Sequence, residues 1–413
     1  MPRRARGSVS LLRTKIAICA LGVALPLMGG TAHAQDGCPA AAAPPPPVDT
    51  SEVPAPGQPV PEPVPVPETP VGGDQMSGCG FVAPPGAPAP PPEVSAASWV
   101  LADLDSGEVL AAHDPHARHR PASTIKVLTA LTAIRELRLD DTIVVTQEDA
   151  NQEGSRVGLE PGVTYSVQQV LTGLILRSGN DAAHALAMKM GGVETTVQKM
   201  NALAESLGAL DTRTATPSGL DGPGMSTSAY DLATIFRVAM QEPAFAAIAG
   251  THQAFLPGAP GGPPLEVWSD NQVLRAYPGG IGGKTGFTDD ARHTFIGAAE
   301  RDGRRLVAVL MRGENEPIRQ SAQTMHLLDY GFALGDASAV GELVTTSPGA
   351  PTETRADGQP VQAQPEAASI FGTVGGPLAL LAAAVVAIAA AIVVQRRRAA
   401  IARRRRRGGD DHP

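Results

Sequence analysis

The chain has 413 residues, a formal net charge of −8, 45 glycines, 39 prolines and 3 cysteines. Its basic residues are concentrated at the two ends, so that between positions 35 and 394 only 20 basic residues face 39 acidic ones, a balance of −19. So acidic a body has no electrostatic footprint for nucleic acid, and its proline-rich flanks leave room for one catalytic-sized domain.

Arg3, Arg4, Arg6, Arg13 and Lys15 precede an apolar run over 16–28 that closes on Ala32-His33-Ala34. That pattern makes residues 1–34 a secretory signal peptide, since the run is shorter than the ~20 residues a membrane span needs. Export leaves Cys38 and Cys79 in an oxidising compartment, where a structural disulfide between them is expected. Residues 35–93 are Ala, Pro, Val and acidic residues with no lysine or arginine. This composition predicts a disordered, polyproline-like spacer.

The folded domain is expected over 94–344. Residues 98–104 and 108–110, on either side of Asp105-Ser106-Gly107, read as a hairpin. An Ala/Leu/Ile-rich helix follows over 123–137, and helical periodicity returns at 167–176, 181–190, 193–207 and 228–240. Strands are predicted at 294–299 and 306–311, and a last helix at 319–332. Strands at both ends of a helical middle predict an α+β fold, an antiparallel sheet flanked by helices with an inserted all-helical lobe.

Residues 345–369 read as a stalk. Residues 370–395 contain a charge-free apolar run and are followed by Arg396 to Arg398 and Arg403 to Arg407. They predict a single transmembrane helix with a basic cytoplasmic tail over 396–413, the domain facing outward from the cell membrane.

Three segments carry candidate chemistry. Ser123-Thr124-Ile125-Lys126 puts a hydroxyl and an amine one helical turn apart. The hydroxyl needs a base, and a lysine serves once burial and nearby positive charge lower its pKa. The chain has only five lysines, Lys15, Lys126, Lys189, Lys199 and Lys284, every other cation being arginine, which cannot act as a base. Ser178-Gly179-Asn180 lies between two predicted helices and by itself reads as a capping turn. Lys284-Thr285-Gly286-Phe287 follows a glycine-rich run and by itself reads as a turn before a strand.

In this order, the three match the Ser-x-x-Lys, Ser-x-Asn and Lys-Thr-Gly set of the penicillin-recognising serine enzymes. Over about 94–330 the chain resembles the D-alanyl-D-alanine carboxypeptidases, the low-molecular-weight penicillin-binding proteins of the serine DD-peptidase/β-lactamase superfamily. Pro217-Ser218-Gly219-Leu220-Asp221 and Ser226-Thr227-Ser228-Ala229-Tyr230-Asp231 are similar to family segments. The resemblance implies a peptidoglycan stem peptide as substrate, β-lactams as ligands, and no metal or organic cofactor. It implies Ser123 as nucleophile, Lys126 as base, Ser178 as proton relay and Asn180 as orienting amide. Lys284 and Thr285 would bind the terminal carboxylate, with Gly286 in the same motif, and the backbone N–H groups of Ser123 and Phe287 would form an oxyanion hole.

Ala291-Arg292-His293 departs from the small residues and glycine usual after the third motif. Against a β-lactamase, residues 212–217 contain no deacylating glutamate. A DD-transpeptidase or endopeptidase differs only in which group attacks second, and large cross-linking enzymes carry additional domains. A non-catalytic wall-binding module would have lost a motif, and none is lost. His-Glu-x-x-His and Gly-x-Ser-x-Gly are absent, so metalloprotease and α/β-hydrolase readings have no anchor.

Overall fold

The computed structural model describes residues 38–335 and 337–345. The expected signal peptide, transmembrane helix and basic tail, and all but the first residue of the expected stalk, lie outside these. Among the described residues no helix is long and apolar enough to cross a membrane.

In chain order the elements are β1 (Phe81–Val82), β2 (Ser98–Asp103), β3 (Glu108–His113), α1 (Lys126–Glu136), β4 (Thr142–Val144), α2 (Gln147–Ala150), β5 (Thr164–Ser166), α3 (Val167–Leu176), α4 (Asn180–Lys189) and α5 (Val193–Ser206). There follow α6 (Ala229–Gln241), α7 (Pro243–Ala249), β6 (Gln253–Leu256), β7 (Leu265–Trp268), α8 (Gln272–Ala276), β8 (Gly280–Thr288), β9 (Arg292–Arg301), β10 (Arg304–Gly313), α9 (Gln320–Leu334) and β11 (Gly341–Glu342). A seven-stranded antiparallel sheet runs β1-β3-β2-β10-β9-β8, with β11 also paired to β3. Strands from both chain ends thus close one sheet around the helical segment, as the sequence predicts.

Alternation along the central strands divides the core, because successive side chains point to opposite faces. Trp99, Leu101, Leu306, Ala308 and Leu310 pack with Leu327 and Leu328 of α9. Val100, Ala102, Val307, Val309 and Met311 join the larger cluster with Leu128 of α1 and Phe236 of α6. Side-chain caps set two helix starts: Ser166 and Gln169 form a capping box on α3, and the Ser228 hydroxyl accepts from Asp231 N–H on α6.

The structure corrects two expectations. The helix expected from Ser123 starts as α1 only at Lys126, because residues Ala122–Ile125 form a 3-10 turn. The spacer expected to be disordered is, from Cys38 onward, an extended strap bonded to the domain, and β1 at its end enters the main sheet. Cys38 and Cys79 are joined as a disulfide.

Its hold is a matter of matched hydrogen-bonding capacity. A proline-rich extended chain has no internal hydrogen bonds and few N–H groups, so it offers mainly carbonyl acceptors. Arginine supplies donors only. Arg118 donates to the carbonyls of Ala42 and Pro65, both at 2.9 Å, and to that of Val64. Arg120 donates to the Pro45 carbonyl at 2.7 Å and pairs with Glu52, and Arg213 donates to the Glu62 carbonyl at 2.6 Å. The composition was read correctly as extended, but the donors that anchor it lie outside the segment.

Between those two arginines stands His119, buried, with neither ring nitrogen hydrogen-bonded. Burial, together with Arg312 and Arg120, pushes its pKa down to about 4. The folded state therefore binds this proton more weakly than the unfolded chain, so stability is lost as pH falls from about 6.5 through about 4. His119→Leu should lack this acid sensitivity. Urea unfolding at pH 7 and pH 4 should show a loss smaller than in wild type by up to about 3 kcal/mol.

Candidate active site

The site is built where the 3-10 turn, the loop before α4 and strand β8 meet. Apolar residues on most faces of α1 bury it, and its first residue, Lys126, is carried inside with it. The Lys126 Nζ lies 2.8 Å from Ser123 Oγ and 2.7 Å from Asn180 Oδ1, and it also bonds the Ser218 carbonyl. Burial first, then the positive charge of Lys284, holds the Lys126 pKa well below the usual lysine range, against the raising effect of Asp270 and Asp181. A neutral amine has two N–H donors and one lone pair. The two carbonyl oxygens take the donors, which leaves the lone pair for the Ser123 hydroxyl proton.

Asn180 opens α4, and its Nδ2 donates to the Glu153 carbonyl at 2.5 Å, which orients Oδ1 toward Lys126. Its neighbour Asp181 accepts from the N–H groups of Val157, Gly158 and Leu159 at 2.9–3.1 Å and so pins the loop that faces the site. Ser178 sits two residues before Asn180, buried, at φ 59. Ala122, next to the nucleophile candidate, is at φ 47. Left-handed backbone at a non-glycine residue costs on the order of 1–3 kcal/mol and persists only where the surroundings over-determine it.

The glycine-rich run is not the turn that its composition suggests. It is strand β8 itself, paired to β9 from Gly280 to Thr288. No other strand of the described residues pairs with its outer edge. Gly286 lies so close to the 3-10 turn carrying Ser123 that a Cβ there would be 2.9 Å from the Ser123 nitrogen. Lys284 is fully buried, donates to the Thr285 carbonyl at 2.9 Å and has its pKa lowered by burial. The Thr285 hydroxyl donates to Asp270 at 3.0 Å. At the rim, the exposed Phe287 ring meets His293 at 4.6 Å between centroids and the Arg292 guanidinium at 5.6 Å. The residues that depart from the family pattern therefore build an aromatic and cationic rim.

Direct hydrogen bonds join Ser123, Lys126 and Asn180, and backbone packing brings Gly286 beside them. Lys284 acts on Lys126 through its charge, while Ser178 is placed only by its position beside Asn180. Sequence reading missed Asp270, Asp181 and the carbonyls of Glu153 and Ser218. The segment holding Ser218 was visible as family-like, but no signal marked its carbonyl as a partner of the lysine.

A profile of the family described as D-alanyl-D-alanine carboxypeptidase, peptidase S11, matches residues 86–315. The chain belongs to this family. It is 50% identical over 264 residues to the D-alanyl-D-alanine carboxypeptidase DacB2 of Mycobacterium tuberculosis, covering 63% of this chain and 90% of that one. With DacF of Bacillus subtilis it shares 32% over 246 residues, covering 58% of this carboxypeptidase-family chain and 62% of that relative. The crystal structure of a D-alanyl-D-alanine carboxypeptidase from Mycobacterium tuberculosis superposes with a TM-score of 0.61 at 47% identity, covering 63% of this chain and 99% of that one. A serine-to-alanine mutant of the Streptomyces K15 DD-transpeptidase superposes at 0.56 with 26% identity, covering 59% and 100%. The fold is that of the DD-peptidases.

The loop that supplies the lysine's third contact is tightly constrained. Gly219 is at φ 82, and a Cβ on it would stand 2.0 Å from the Ala122 carbonyl oxygen, a backbone atom. Gly219→Ala should cost more than about 1 kcal/mol, measured by thermal unfolding, because both the φ value and the clash oppose it.

Proposed function

We propose that this chain removes the terminal D-alanine from peptidoglycan stem peptides through an acyl-enzyme on Ser123, and that β-lactams acylate the same serine. The observation that carries this reading is the set of three contacts at Lys126 Nζ, with Ser123 Oγ, Asn180 Oδ1 and the Ser218 carbonyl, which in the neutral amine leave the lone pair for Ser123.

In the first step Ser123 Oγ attacks the carbonyl of the penultimate D-alanine and its proton passes to Lys126 Nζ. The backbone N–H groups of Ser123 and Phe287 would hold the developing oxyanion, a role supported by the close approach of β8 to the nucleophile turn. The C–N bond then breaks as Ser178 delivers its proton to the leaving amine and takes up the one held by Lys126, which returns the lysine to its neutral form, with Lys284 lending positive charge. Water attacks the ester and gives up a proton to Lys126, which passes it to Ser123 Oγ as the ester C–O bond breaks, and the shortened peptide leaves with Ser123 restored. Lys284 and Thr285 suit the terminal carboxylate, and Asn180 the substrate amide. The open edge of β8 suits an extended peptide, which gains main-chain hydrogen bonds there.

The same reading places the enzyme outside the cell. The signal-like residues 1–34 and the apolar residues 370–395 before an arginine cluster support export and a single C-terminal membrane helix. Truncation after residue 369 should release the protein from the membrane fraction.

The test is to incubate wild type, Ser123→Ala and Lys126→Arg with a labelled penicillin and with a peptide ending in D-Ala-D-Ala, following covalent label and free D-alanine by mass spectrometry. Wild type should keep the label on Ser123 and release D-alanine, and Ser123→Ala should do neither. Lys126→Arg should acylate at least about 10²-fold more slowly, since arginine cannot accept the proton. The wild-type acylation rate should rise with pH as Lys126 loses its proton, with the midpoint below the ordinary lysine value. Rapid loss of label with hydrolysed penicillin would make the chain a β-lactamase, transfer to an added amine would make it a transpeptidase, and no label would overturn the nucleophile.

A further inference from the structure

Apart from the active site, the strap roofs a cavity of about 350 Å³ whose walls include Val66, Pro67, Val71 and Met76. His116, Asp211 and Asp231 also line it. One ligating atom from each of these three lies within 4.8 Å of the others. This is the distance range in which a bound ion needs only small side-chain rotations to reach bond lengths of roughly 2.0–2.2 Å.

What sets the group apart from an ordinary ion-pair network is how its outer atoms are held. His116 Nε2 donates to the Val71 carbonyl at 3.0 Å, so Nδ1 is the atom turned to the carboxylates, 2.7 Å from Asp211 Oδ2. The other Asp211 oxygen accepts from Arg118 Nε at 3.1 Å. Asp231 Oδ2 accepts from the Asp211 N–H at 2.8 Å and the Thr212 hydroxyl at 2.7 Å. Asp231 Oδ1, on a side chain that is 1% exposed, has no hydrogen-bond partner at all. Metal-binding imidazoles and carboxylates are oriented in this way, each with its second polar atom tied down. An uncovered carboxylate oxygen in the interior is costly unless a cation or a proton meets it, and burial beside Asp211 raises the Asp231 pKa to about 8 in the metal-free site.

We propose that His116, Asp211 and Asp231 bind one divalent transition-metal ion at the floor of this cavity. One imidazole nitrogen and two carboxylate oxygens are the donor set of zinc and its neighbours, whereas magnesium and calcium prefer oxygen alone. With both aspartates ionised the two carboxylates neutralise a dication, the protons on His116 Nδ1 and on Asp231 leave to solvent on binding, and the remaining coordination positions open to the cavity, where water can fill them. The ion is structural. Through the Val71 carbonyl on His116 and through Asp231 on α6, it joins the strap to the helical part of the body, and it takes no part in the chemistry at Ser123.

The full-length chain, stripped with EDTA and dialysed, is titrated with zinc chloride and separately with magnesium chloride, and retained metal is counted by mass spectrometry after gel filtration. Wild type should keep one zinc per chain and bind it at least about tenfold more tightly than either His116→Gln or Asp231→Asn. Penicillin labelling at Ser123 should be unchanged in both variants, which shows that they fold. Should the interior Asp231→Asn variant misfold, His116→Gln, at a partly exposed position, decides alone. Zinc retained equally by wild type and the folded variants, zinc retained by none, or magnesium bound as tightly as zinc would each overturn the proposal.

Discussion

The amine of Lys126 sits fully inside the protein with no carboxylate bonded to it, and much of the surrounding structure answers to that fact. A buried ammonium without an ion-pair partner is strongly disfavoured, so burial lowers the pKa of the group well below the usual lysine range, and the second buried lysine nearby drives it further the same way. Its neutral form must still be hydrogen-bonded, and two carbonyl oxygens from separate loops are brought to it. Holding them there requires Asn180 to be fixed by Glu153, residues 157–159 to be pinned by Asp181, and a glycine at position 219 where any side chain would strike the turn that carries Ser123. The left-handed backbone at Ala122 and Ser178 is the strain that remains.

The strap is governed by a similar complementarity of donors and acceptors. Its prolines remove N–H groups and leave carbonyls, and two of the three arginines that serve them occupy positions 118 and 120, in the segment leading directly to Ser123. Extension of the proline-rich chain and placement of the nucleophile turn are therefore anchored by the same few residues. The Asp290 carboxylate, just beyond the third motif, also accepts hydrogen bonds from the strap at Val48 and Ser51. The strap thus contacts both segments that flank the site, whereas the family match itself begins only at residue 86.

Helices α3, α5 and α6 were legible from the apolar periodicity of their own residues, and the hairpin β2–β3 from two apolar runs on either side of Asp105-Ser106-Gly107. The strand β8 was not, since six of its nine residues are glycine or threonine and its pairing depends on β9. Glycine there serves close approach to the Ser123 turn and carries no periodic signal. The strap was misjudged for the related reason that its partners are remote side chains. Asp270 escaped notice because an isolated acidic residue looks like any solvated one until Thr285 is found against it.

The residue types of the candidate site were determined by sequence alone. A hydroxyl next to one of five lysines, a Ser-x-Asn loop and a Lys-Thr-Gly segment, in that order, demand side chains that nothing else in the chain replaces. Tertiary structure alone decided that the Lys126 amine meets Ser123, Asn180 and Ser218 together. The acceptors that occupy its N–H groups stand 54 and 92 residues away along the chain, and only packing of α1 against the α4 loop and the Ser218 loop brings them within hydrogen-bonding reach.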